Sequence, residues 1–268
     1  MPQWLVPIGR SFFALGMIGI GVEHFFFREF IPVIATFPPA IPGHIVWVYL
    51  CGAALVAAGL AILINIKIRP VGIALGAALL ALLIIDHIPY RLANNPGILG
   101  FWGNEFKILT LAGGAWVAAG SLIQQRAEIS SSDRLMSIGR YFLPITVTVF
   151  GFEHFLYTDF VATLVPAWMP LHYFWTYFAA VALMVSGIAM ILNIQARLAS
   201  LMLGIMIFIW FLILHIPRAI ADPTSGIGNE VASVFEALAF SGIAFTLCAL
   251  PTWNPFAISA KGSDAVPD

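Results

Sequence analysis

Charge is scarce in this chain. Asp, Glu, Lys and Arg make up 9% of its 268 residues, against about 25% in a soluble domain. So few charges cannot cover a water-facing surface, which excludes a soluble globular fold. Basic tracts and zinc-ligand spacings are missing as well, and a net charge of −1 carries no signal for a nucleic-acid partner. Cysteine is nearly absent. Cys51 and Cys248 stand singly inside apolar runs, so there is no C-x-x-C dithiol and both read as small buried apolar residues. The first residues lack a small-x-small cleavage pattern and lead into a long apolar run. They read as a retained first span.

Apolar residues are abundant: 61% of the chain is hydrophobic and the mean hydropathy is +0.97. Runs of roughly 20 residues, enough to cross about 30 Å of hydrocarbon, fall at 4–27, 44–65, 69–88 and 105–122, then at 136–155, 172–193, 197–216 and 230–250. Each reads as helix, because lipid leaves the edges of an open sheet unsatisfied. The expected fold is an all-α polytopic membrane bundle of eight transmembrane helices. A polar, serine-rich stretch, "QQRAEISSSDR", interrupts the series. The organisation it implies is a first four-helix unit over 1–123, a linker over 124–135, a second unit over 136–250 and a flexible tail over 251–268.

The two units read as repeats. Arg10, Glu23, His24 and Phe30 recur 130 positions later as Arg140, Glu153, His154 and Phe160. After a two-residue deletion His44, Trp47, Asn65, Gly76, His87 and Pro89 recur as His172, Trp175, Asn193, Gly204, His215 and Pro217. Asn104 and Glu105 recur as Asn229 and Glu230. Four spans is an even number, so the halves are expected to run parallel about an axis along the membrane normal. Lys and Arg set the orientation. With both termini in the cytoplasm, Arg10, Lys67, Arg69, Arg126, Arg134, Arg140, Arg197 and Lys261 lie inside, and only Arg28, Arg91 and Arg218 lie outside.

That topology brings all six histidines to the outer ends of the spans, with Glu23, Glu105, Glu153 and Glu230. Ionisable groups inside a membrane are costly and face partners or a water-filled cavity. An acid beside an imidazole tunes its charge and tautomer. Glu23, His24, His87, Glu153, His154 and His215 are therefore the candidate proton-handling residues. His44, Trp102, Glu105, His172 and Glu230 are the candidates for holding a cofactor at the same level. The plainer roles are interfacial anchors for His44 and His172, and helix starts capped by Asn104 and Asn229 with an acid in the first turn. Proline follows His87 and His215 by two positions, so the third and seventh helices are expected to end or kink there. Asp86 and Lys107 have no counterpart in the second half, where Leu214 and Ala232 stand. These extra charges point to the first half as the more active one.

The order "GVEHFFFREF", a proline-rich loop, "WVYLCGAALVAAGLAILI", a basic turn, "HIPYRLANNPG" and "NEFKILTLAGGAWVAAG" resembles the DoxX-like membrane proteins. These bacterial and archaeal proteins are built on a four-helix unit. The likeness covers residues 5–122 well and 136–250 more loosely, as though two units were fused. It implies a multi-pass protein of the cell inner membrane linked to redox chemistry; the cofactor is left open between quinone and, as the second option, a metal or haem. The cysteine pairs of the redox-active members are missing here. Together these readings point to binding of quinone, or another small amphipathic ligand, at an extracytoplasmic His/Glu cluster. Alternatives are a transporter of small molecules or lipids, or a metal- or haem-binding membrane subunit. No residue is assigned as a metal ligand, because no H-x-x-x-H or H-E-x-x-H spacing occurs. The lipid bilayer is the expected surrounding, with a membrane partner subunit or a second copy as further partners.

Overall fold

A computed structural model describes residues 3–121 and 137–250, and all regular structure among them is helical. The expected linker over 124–135, the tail over 251–268 and the positive charges Arg126, Arg134 and Lys261 lie outside the described residues. The helices are α1 (Leu5–Phe27), α2 (His44–Leu63), α3 (Ile68–Ala93), α4 (Gly103–Gly120), α5 (Phe142–Leu156), α6 (Thr158–Leu164), α7 (His172–Ile191), α8 (Ala196–Ala221) and α9 (Ser225–Ala249).

Six of these, α1, α2, α3, α7, α8 and α9, are long and apolar enough to cross a membrane. The protein is a multi-pass membrane protein. The two other apolar runs of the sequence form α4 and α5, which fall short of that standard for different reasons. α4 has 18 residues but opens on Asn104, Glu105 and Lys107. α5 has 15 residues, and the chain before it turns at Arg140 and Tyr141.

Of the two outcomes expected from the prolines, an end or a kink, α3 and α8 do not end after their histidines. Both continue through one π-helical turn, Leu83–His87 and Phe211–His215, into a short α-helical tip. Pro89 and Pro217 lack the N–H that would close the α ladder. The wider turn absorbs the break without stopping the helix.

Along the chain each long helix packs on the next, and α9 returns to pack along α1, so the helices form a closed ring with α4 and α9 also touching. The α1–α9 seam is close because it is built on small residues. A Cβ on Gly9 would collide with the Gly242 carbonyl, and one on Gly242 with the Gly9 carbonyl. α1 crosses α2 in the same manner, where a Cβ on Gly21 would sit 2.8 Å from the Gly52 oxygen. α1, α4 and α9 supply most of the buried surface. α2, α7 and α8 present Leu50, Phe174, Phe178, Val181, Ile205 and Ile209 outward. An apolar exterior of this extent suits lipid, not water.

Candidate functional site

The polar side chains gather at one end of the ring, where the turns between helices tie to one another. Arg91 donates from Nε to Glu105 Oε1 at 3.2 Å. Arg218 grips Glu230 with two bonds, Nε to Oε2 at 2.8 Å and Nη2 to Oε1 at 2.5 Å. The Gly100 N–H donates to the Tyr157 hydroxyl at 3.1 Å. Each arginine lies near the tip of a helix that carries a π turn, and each glutamate opens the following helix. The pairs therefore staple α3 to α4 and α8 to α9.

On the first-half side this end is filled by the chain itself. The segment after α1 turns at Arg28 (φ 58) and drops Phe30, Ile31, Val33, Ile34 and Ala35 into the bundle, with Ile31 and Ile34 fully buried. His24 braces it. Its Nδ1 lies 2.8 Å from the Ile20 carbonyl and its Nε2 receives the Ile31 N–H at 3.5 Å. A neutral ring with Nδ1 donating has Nε2 as its acceptor, so both nitrogens are used. Asp86 completes the latch, accepting from the Thr36 N–H at 2.6 Å and the Thr36 hydroxyl at 3.0 Å. His87 is fully buried, and among the described residues neither ring nitrogen makes a hydrogen bond of good geometry; Glu105 Oε1 stands 3.9 Å from its Nδ1. His44 pairs with Glu29 at 3.3 Å, and the Trp102 indole donates to the Pro96 carbonyl at 3.0 Å.

On the second-half side the same end is open. An apolar cavity of about 280 Å³ lies among α5, α7, α8 and α9, walled by Val147, Phe150, Ala179, Leu183, Met206 and Phe240, with Trp175 and Trp210 also on its surface. It continues into a vestibule of about 700 Å³ that holds Arg91, Glu153, Tyr157, Arg218 and Glu230. His154, His215, Lys107 and Ser233 border both. His154 Nδ1 lies 2.7 Å from the Phe150 carbonyl, and among the described residues the buried His215 Nδ1 has no hydrogen-bond partner. An apolar chamber with a few convergent polar groups at its mouth is the usual form of a small-molecule site.

Lys107 reaches across from α4 and pairs with Glu236 of α9 at 2.8 Å on the cavity wall. Glu23 of α1 is buried, and among the described residues neither of its carboxylate oxygens finds a hydrogen-bond partner. Glu236 of α9 is near enough to act on it electrostatically. This seam joins the two halves through charge.

The candidates therefore separate. Glu153, His154, His215 and Glu230 meet at the cavity and its vestibule. Glu23 lies at the seam; His24 is occupied by the loop; His87 and Glu105 sit with Arg91 beneath it. His44 and His172 open α2 and α7 away from the cavity lining. The two charges that set the first half apart lie in different places: Asp86 holds the first-half loop and Lys107 lines the second-half cavity. Glu236 escaped notice in the sequence. The usable signal was that Lys107 and Glu236, of opposite sign, each interrupt an otherwise apolar run. Among the described residues no group of three or more His, Cys, Asp or Glu side chains is placed to hold a metal ion. No family model matches the chain, and no curated protein or solved structure matches it either.

Proposed function

We propose that this chain is an inner-membrane protein of the DoxX-like kind, with two parallel four-helix units fused into eight spans and both termini in the cytoplasm. In this reading α4 and α5 complete the eight, and the cavity takes a quinone or another small amphipathic molecule from the extracytoplasmic side. The repeated sequence pattern and the excess of Lys and Arg on one side of the spans support the arrangement.

One observation carries the ligand: an apolar chamber of about 280 Å³ with His154 and His215 at its mouth. A flat apolar ring fills such a space, and its oxygens meet the two imidazoles. His154 and His215 hold the ligand oxygens and pass protons to or from them. Glu153, in the vestibule beside His154, exchanges those protons with water. Trp175 and Trp210 line the chamber and report on occupancy. Titration of the purified protein with duroquinone should quench tryptophan fluorescence saturably. Filling the chamber with Ala179→Phe should abolish saturation while the melting temperature holds. A folded protein that shows no saturable quenching, or quenching indifferent to Ala179→Phe, overturns the reading.

A further inference from the structure

Matched stretches of the two halves behave in opposite ways at this end of the bundle. In the first, Phe30 is 7% exposed and Ile31 and Ile34 are 0% exposed. Their counterparts 130 positions on are Phe160, which is 65% exposed, and Val161 and Leu164, which line the open cavity. One loop fills its chamber and the other stands back from it. Asp86, which holds Thr36, is replaced by Leu214, an apolar residue of the cavity wall. The second segment coils into α6, whose Thr163 hydroxyl bonds to its own turn at Phe160.

The histidines did not change with the loops. His24 and His154 both set Nδ1 against the carbonyl four residues back, at 2.8 and 2.7 Å. In each neutral ring Nδ1 therefore carries the proton and Nε2 is an acceptor. His24 Nε2 receives the Ile31 N–H. Among the described residues nothing donates to His154 Nε2, although His154 borders the cavity.

We infer that the first-half loop is a built-in occupant, and that the second-half cavity takes a separate molecule reproducing its contacts: an apolar body with a hydroxyl that donates to His154 Nε2. This rests on the quinone-site reading and specifies the form bound. A hydroquinone has the O–H that His154 requires, whereas quinone carbonyls only accept. His215, which also lines the cavity, serves the second hydroxyl. The site therefore prefers the reduced ligand, because the oxidised one leaves His154 Nε2 without a donor in an apolar wall.

Anaerobic calorimetric titration with duroquinol and with duroquinone tests this on the intact protein in nanodiscs. Duroquinol should bind about ten-fold or more tightly. His154→Leu should bring the two affinities together, and His154→Gln, whose amide oxygen accepts, should restore part of the preference. Melting curves identify variants that remain folded. Equal affinity of the wild type for both forms overturns the selection while leaving the cavity reading intact. Failure of both to bind overturns the two together. A preference that survives His154→Leu shows that the hydroxyl is read elsewhere and overturns this assignment.

Discussion

Asp86 and Leu214 occupy matched places in two look-alike stretches; the first latches a loop through Thr36 and the second lines the open chamber. Asp86 accepts two bonds from Thr36 at 2.6 and 3.0 Å while only 7% exposed. Charge-assisted bonds to a buried carboxylate are worth about 1.5–3 kcal/mol each. Asp86→Leu should therefore loosen residues 28–36, with amide exchange at Thr36 accelerated about ten-fold or more. Hydrogen exchange followed by mass spectrometry measures this; unchanged protection would mean that apolar packing alone holds the loop. The same pair of residues shows why the site was half legible in the sequence. Repetition marked Glu153, His154, His215 and Glu230, which meet at the cavity and its vestibule. It could not tell them from Glu23, His24, His87 and Glu105, because what separates the two sets is whether a loop lies on top. That depends on a tertiary contact with Thr36. The extra Asp86 was visible, but its role as a latch was not.

Helices were easier to foresee than their ends. The apolar runs place α1, α2, α7 and α9 within a few residues, since length and composition alone fix what lipid will accept. The tips of α3 and α8 went unforeseen because proline can be absorbed by a π turn as well as by a break. α6 was missed entirely, being seven residues long and without a periodic signal of its own. Close helix crossings rest on glycine. At the α1–α2 crossing a Cβ on Gly21 would meet the Gly52 oxygen at 2.8 Å and Val56 Cγ2 at 2.8 Å. Neither backbone can give way cheaply, so Gly21→Val should cost about 1–3 kcal/mol through overpacking. A thermal melt of the detergent-solubilised protein reads it. A melt unchanged by Gly21→Val would mean that the two helices do not approach so closely.

For the molecule as a whole, the seam between α4 and α9 matters most. Lys107 and Glu236 pair at 2.8 Å with side chains 22% and 7% exposed, and removing one partner of a buried pair leaves the other uncompensated. Lys107→Met should lower stability by about 3–5 kcal/mol, and adding Glu236→Leu should recover most of the loss. Unfolding of the single and double variants measures the coupling. Additive losses would show that the two charges do not depend on each other. The pair also has a consequence for biosynthesis. Lys107 leaves the ribosome more than a hundred residues before Glu236, so the nascent chain must shelter a bare ammonium at the bilayer until α9 emerges. A polypeptide cut between its halves would be expected to strand one orphan charge in each fragment, and the fragments to survive only when made together.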